Sequence, residues 1–407
     1  MTSIGEVISL PDGTSVRLSG HLDLLRNDGG VRPVRLPVAS WDRFPPAAEI
    51  MRTVASQASG VRLSVRTDAP SLTLAVRCTR VDFSDDAGQP IEGPVNDVVA
   101  TIDGLPVTRV RASVDQVEEV GPGGRVAVVR RHRLSSALTL DGLGEGVKDV
   151  TIWLPQGMEV DLLGLQGDGS IVPAPASGRP VWLHHGSSIS HCASPVDPLS
   201  SWPVVAAQAA RHEVINLGFS GQAMIDPFTA DAIAATPADV ISLSFGVNIV
   251  GARSMDERTF VPAVHGFLDA VRRGHPHTPI VLLSSILWPG SEDVPGPSRV
   301  DFAEDGSLSV RTCGNVDDIA TGALTLATSR DHLQHVVRVR AAAGEPISYL
   351  DGRSLYGPDD VVNAPLPDGL HPDGPIYQRM GARFASMVFA PGGAFASDAP
   401  VSPTQES

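Results

Sequence analysis

The sequence predicts a chain in two parts, an all-β sandwich or jelly roll followed by an α/β domain built on a parallel sheet. Three observations carry this. The first 170 residues hold many short runs with a two-residue apolar period. A stretch of Gly, Pro, Ala and Ser then interrupts the pattern. After Pro180, apolar runs alternate with longer segments of helical spacing.

In the first part, Ser71-Leu72-Thr73-Leu74-Ala75-Val76-Arg77-Cys78 sets Leu72, Leu74, Val76 and Cys78 on one face of a strand, since successive side chains point to opposite sides. Similar runs occur at 60–68, 97–103, 108–114, 126–134, 149–154 and 159–165, punctuated by turns such as Asp103-Gly104 and Gly121-Pro122-Gly123-Gly124. Many short strands, turn signals and no long helix describe a sandwich or jelly roll over 1–172. Residues 173–180, around Pro173-Ala174-Pro175-Ala176-Ser177-Gly178, have linker composition.

In the second part, 181–390, strands are expected at 181–185, 213–217, 239–245, 279–285 and 346–350, and helices at 202–211, 257–273, 317–342 and 376–388. Leu326, Leu333, Val336 and Val337 repeat at helical spacing. Alternating strands and helices form a parallel sheet covered on both faces, and such sheets place their sites at the carboxyl ends of the strands. The segment after Trp288-Pro289-Gly290, about 291–315, reads as a long irregular stretch, a lid, a pocket wall or a plain insertion. Residues 391–407 are small, polar and proline-containing and are expected to be disordered.

Composition excludes several classes. The net charge of −15 opposes phosphate backbones and anionic membranes, so no nucleic-acid or membrane partner is expected. No apolar run approaches the roughly 20 residues needed to cross a bilayer. The start, Met1-Thr2-Ser3-Ile4-Gly5-Glu6, lacks a basic and apolar leader pattern. Cys78, Cys192 and Cys313 are three and have no metal-type spacing, which suits reduced thiols in a cytoplasmic chain. No His-Glu-x-x-His, Walker or dinucleotide fingerprint occurs, so no metal and no cofactor is expected. Lys148 is the only lysine, a bias of composition and not of chemistry.

Four segments lie at predicted strand ends or beyond the last strand. Val181-Trp182-Leu183-His184-His185-Gly186-Ser187-Ser188 runs from a strand into a tight turn and brings Ser188 to the sheet edge. A serine hydroxyl is a weak nucleophile and needs a base. Leu366-Pro367-Asp368-Gly369-Leu370-His371-Pro372-Asp373 supplies one, with a carboxylate three residues before an imidazole and able to reach its inner nitrogen. Asn216-Leu217-Gly218-Phe219-Ser220-Gly221-Gln222 offers a glycine amide, and Phe245-Gly246-Val247-Asn248-Ile249 a side-chain amide, as donors to an oxyanion. Each segment alone is also what a plain turn or surface loop looks like. His184, His185 and His191 are expected to pack or to hydrogen-bond at the rim, Cys192 to be a small buried residue, and His275-Pro276-His277 to be an exposed turn.

In the order serine, glycine, asparagine, Asp-x-x-His, the four segments resemble the SGNH, or GDSL-like, esterases and acyltransferases over about 181–390. The resemblance implies a three-layer α/β/α fold. It implies Ser188 as nucleophile, His371 as base and Asp368 as its orienting acid, with Ser188, Gly221 and Asn248 as oxyanion donors. Two departures stand out. The usual Gly-Asp-Ser reads Gly186-Ser187-Ser188, and the usual Gly-x-Asn-Asp reads Gly246-Val247-Asn248-Ile249. The N-terminal β region is similar to the carbohydrate-binding-module-like domains that precede some members, among them polyketide-tailoring salicylyl transferases and carbohydrate esterases.

The function expected is a serine hydrolase acting on a small or carbohydrate-linked ester through an acyl-serine. Acyl transfer to a hydroxyl of a polyketide or sugar stands as one alternative, a non-catalytic carbohydrate-binding protein as the other. The partners expected are a small-molecule ester or acyl donor and a hydroxyl acceptor.

Overall fold

The computed structural model describes residues 5–27, 29–45, 49–84, 90–121, 125–302 and 308–396. Pro122-Gly123-Gly124 and residues 397–407 lie outside them.

The alternation at 72–78 does what its period requires. Leu72, Leu74, Val76 and Cys78 are all fully buried, in a core they share with Val16, Leu18, Leu63, Val65, Val150 and Ile152. These two sets come from two different sheets. One follows the order Glu6–Ser9, Ser15–Ser19, Arg62–Thr67, Lys148–Trp153, Asp97–Ile102, Leu105–Arg111, with Ile171–Pro173 added beside Arg62–Thr67. The other runs Val126–Arg131, Gln116–Val120, Leu72–Ser84, Glu159–Gln166, Gly30–Val34, Asp23–Asn27, with Ser136–Leu140 and Pro90–Ile91 also paired to the long strand Leu72–Ser84. Two sheets facing one apolar core form a sandwich. The strands before residue 35 fall outside the expected runs, although Ser15–Ser19 alternates and buries Val16 and Leu18. Gly30–Val34 is buried at every position and contains Pro33 and Arg32.

The second part has five parallel strands in the spatial order Glu213–Gly218, Val181–Gly186, Val240–Ser244, Ile280–Leu283, Ile347–Leu350. All six residues of Val181–Gly186 are buried, as a central strand covered on both faces demands. Trp202–Ala209 packs on Gly374–Phe384, while Pro227–Ala235 packs on Glu257–Gly274, which in turn meets Leu326–Ala342. The expected helix 317–342 is broken. A 3-10 turn, Val316–Thr321, ends at Gly322 with a φ of 100°, and a new helix starts at Leu326, capped by Thr325 through the Thr328 N–H at 3.1 Å. Helix 376–388 is Gly374–Phe384 followed by a π-helical turn, Ala385–Phe389.

Among its described residues, the stretch 291–315 is not wholly irregular. It contains an antiparallel hairpin, Ser298–Phe302 with Leu308–Thr312. Order also persists past residue 390, because Phe395 is buried and its ring lies 5.4 Å from that of Phe389. Among the described residues no helix is long and apolar enough to cross a membrane.

The two parts share a core. Leu36, Phe44, Met51, Val54, Ala55, Val99 and Trp153 belong to the same apolar cluster as the parallel sheet, and the Phe44 and Phe228 rings are 4.7 Å apart.

Candidate active site

The strand Val181–Gly186 ends where a side chain no longer fits, since a Cβ on Gly186 would meet Ser190 Oγ at 2.3 Å. Ser187 stays extended and its Oγ accepts the Ile189 N–H at 3.3 Å, which starts the short helix Ser188–His191. Ser188 is the first residue of that helix, so its own N–H has no acceptor within the helix. Cys192 ends the helix at a φ of 56°, buried, with burial pushing its thiol pKa up.

The Asp368–His371 loop lies beyond the last strand and reaches this turn. Ser188 Oγ is 2.9 Å from His371 Nε2, and His371 Nδ1 is 2.6 Å from Asp368 Oδ2. A carboxylate only accepts, so Nδ1 carries the proton and Nε2 is left to accept from the serine hydroxyl. Asp368 Oδ1 takes two backbone donors, Leu370 N–H at 2.9 Å and His371 N–H at 2.6 Å. Burial alone would raise the Asp368 pKa, but the hydrogen bonds and charge of His371 outweigh it and hold the carboxyl below its ordinary value. The loop is also tied from outside, because Val310 of the hairpin donates its N–H to the Asp368 carbonyl at 2.8 Å, and Trp288 Nε1 donates to the Val310 carbonyl at 3.2 Å. No sequence signal announced Val310.

The glycine and asparagine segments sit at the ends of the two strands that flank Val181–Gly186. Gly218 must be glycine, since a Cβ there would come within 2.3 Å of the His191 backbone nitrogen. Gly221 has a φ of +69° and Gly246 a φ of +128°, both in the region that favours glycine. Asn248 Oδ1 accepts the Ala223 N–H at 3.1 Å, so the Asn248 NH₂ faces away from that turn and is available as a donor. The Ser188, His371 and Asp368 side chains are thus in direct contact, while Gly221 and Asn248 are joined through the 221–223 turn.

The three histidines near Ser188 are interior and do not form a rim. His184 lies between Ser242 Oγ and Ser190 Oγ, each at 2.7 Å, and burial with the neighbouring His185 lowers its pKa to about 3. His185 Nδ1 donates to the Leu217 carbonyl at 2.7 Å, and burial lowers its pKa to about 4. His191 is held between Gln156 O and Ser220 Oγ. His275 is buried as well, against the Ile233 carbonyl at 3.0 Å, contrary to the exposed turn expected there. Among the described residues, no group of three or more His, Cys, Asp or Glu side chains could hold a metal ion.

Comparisons with known proteins bear on the family and the fold. Residues 179–289 match the model of the GDSL-like lipase/acylhydrolase family, a span that contains Ser188, Gly221 and Asn248 and stops short of Asp368 and His371. No curated protein matches the sequence. Solved structures match over both parts. The salicylyl-acyltransferase SsfX3 from a tetracycline biosynthetic pathway is 24% identical with a TM-score of 0.72, over 93% of this chain and 95% of that one. A GDSL-like lipase from Bacteroides ovatus, so described, is 17% identical with a TM-score of 0.61, over 90% and 93%. A family two carbohydrate esterase from Clostridium thermocellum is 14% identical with a TM-score of 0.55, over 81% and 91%. Residues 179–289 of this chain thus match a GDSL-like lipase/acylhydrolase domain, and the chain shares its fold with structures of ester-acting enzymes.

Proposed function

We propose that the chain is a serine-dependent ester hydrolase that works through an acyl-serine intermediate on a small or carbohydrate-linked ester. The observation that carries this reading is the unbroken line of hydrogen bonds from Asp368 through His371 to the Ser188 hydroxyl. In this reading His371 Nε2 takes the hydroxyl proton as Ser188 Oγ attacks the ester carbonyl. Asp368 steadies the imidazolium that results. The N–H groups of Ser188 and Gly221 and the Asn248 NH₂ receive the negative charge that develops on the carbonyl oxygen. The tetrahedral species collapses, the C–O bond to the leaving alcohol breaks, and the alkoxide takes the proton back from His371. Water, deprotonated by the same imidazole, then attacks the acyl-serine and releases the acid.

Acyl transfer is the second reading. It is supported by the likeness to the salicylyl-acyltransferase, which spans both parts of the chain. The two readings differ only in the second step, where an acceptor hydroxyl replaces water if the site holds the acceptor and excludes solvent.

Cleavage of p-nitrophenyl acetate and butyrate by the wild type and by Ser188→Ala tests the proposal. Turnover should fall by roughly a factor of 10³ or more in the variant. Equal turnover by both proteins would remove Ser188 from the chemistry. Repeating the assay with sugar and phenolic alcohols present separates the two readings, because a transferase yields the new ester at the expense of free acid.

A further inference from the structure

We propose that the N-terminal domain positions the oxyanion loop 218–221, through Arg35 and through a relay from Gln156 by way of His191 to Ser220, so that the site is complete only with both domains. This rests on the reading of Ser188 and Gly221 given above. Arg35 is a positioning residue in this proposal and touches no reacting atom.

Arg35 is fully buried and forms no ion pair among the described residues. A buried guanidinium is costly unless its N–H groups find acceptors. Here they find four backbone carbonyls, two on each side of the domain boundary. On the N-terminal side, Nε donates to Gln57 O at 2.6 Å and one terminal nitrogen to Val54 O. On the other side, the second terminal nitrogen donates to Asn216 O at 3.0 Å and to Gly218 O at 2.6 Å. Those carbonyls end the strand Glu213–Gly218 and open the turn that leads to Gly221. The guanidinium also lies 5.1 Å from the centre of the Phe219 ring. One terminal nitrogen also comes within 3.5 Å of His191 Nε2. Burial lowers the Arg35 pKa to about 9, which still leaves it a cation at neutral pH.

The relay reaches the same loop one residue further on. His191 Nε2 is 2.9 Å from the Gln156 carbonyl, which can only accept, so that nitrogen carries the proton. Nδ1 then accepts from Ser220 Oγ at 3.0 Å, next to Gly221. Burial and the nearby Arg35 charge hold His191 neutral, which keeps this single arrangement. His191 also closes the helix that Ser188 opens, and its carbonyl accepts from Ser59 Oγ at 2.7 Å. Nucleophile helix, oxyanion loop and N-terminal domain therefore meet at one imidazole. A lysine could not replace Arg35, because an ammonium has three N–H donors on one atom and cannot span four carbonyls on two sides of the boundary.

The test uses the full chain with Arg35→Lys, Arg35→Met and Ser220→Ala, alongside Ser188→Ala. The readouts are kcat and KM on p-nitrophenyl acetate and the Kd of an alkylboronic acid, which forms a tetrahedral adduct with a reactive serine. Misplaced oxyanion donors should lower kcat by roughly 10–100-fold in the Arg35 variants and about 10-fold in Ser220→Ala. KM should stay within about twofold, and the boronate should bind more weakly by the same factor as kcat falls. A purely structural role would lower the melting temperature and leave kcat and boronate affinity of the folded fraction unchanged. That result overturns the proposal. If neither Arg35 variant folds, Ser220→Ala decides alone, and wild-type kcat and boronate affinity there overturn it. Turnover that survives in Ser188→Ala would instead sink the reading on which the proposal rests.

Discussion

Asp368 divides its two oxygens between different tasks. Oδ1 holds the backbone of its own loop through Leu370 and His371, and Oδ2 takes the His371 ring proton. Replacing it by Asn keeps one carbonyl oxygen, which the two backbone donors claim. The new NH₂ then faces His371 Nδ1 and forces the proton to Nε2, the nitrogen that should accept from Ser188. Asp368→Asn is therefore expected to fold normally and to lose roughly 10³–10⁴-fold in kcat on p-nitrophenyl acetate. Activity within tenfold of wild type would show that the imidazole does not depend on this carboxylate. The Asp368–His371 contact was legible in the sequence because the partners are only three positions apart. Val310, which ties the same loop from the hairpin, was not, because 57 residues of chain lie between it and Asp368 and nothing local marks the pairing.

The strand Val181–Gly186 places two adjacent histidines in the interior, on opposite faces of the sheet. The His185 ring is surrounded by Phe219, Phe245 and Phe267, with 5.9 Å between its centre and that of Phe267, and its Nε2 has no partner among the described residues. Its folded pKa, about 4, lies below the ordinary value of 6.5. Between these values the unfolded chain binds a proton that the folded chain refuses. Stability is thus fully present above about pH 6.5 and is lost as pH falls toward 4, by on the order of 3 kcal/mol from this one group. Urea midpoints at pH 7.5 and 5 should show the loss in the wild type, and His185→Phe should reduce it. An equal loss in the variant would mean that other groups carry the acid sensitivity. The strand itself was evident as an apolar run, and so were the four other strands of its sheet. The break before Leu326 was not, because helical spacing continues across it, and Gly322 at positive φ is what ends the preceding turn.

Composition divided the chain into a β part and an α/β part, and the structure keeps that division in its sheets. It does not keep it in its core. Phe44, Met51 and Trp153 belong to one apolar cluster with Trp182 and Phe228, and a partly buried ion pair joins Arg62 to Glu213. No period or motif encodes such contacts, which arise only when distant segments meet. Elements that bury a common core unfold together. Calorimetry of the full chain should therefore show a single transition, with equal calorimetric and van't Hoff enthalpies. Two separable transitions would mean that each half is stable by itself.

The clamp around Arg35 has a consequence for descent. Every acceptor it uses is a main-chain carbonyl, at Val54, Gln57, Asn216 and Gly218. A carbonyl is present whatever side chain hangs beside it. Mutations can therefore accumulate across both sides of this joint without erasing it, provided the arginine and the path of the backbone persist. Lineages that drift far apart can inherit the joint through one conserved cation, and a search for kin that weighs only matching pairs of side chains would pass it over.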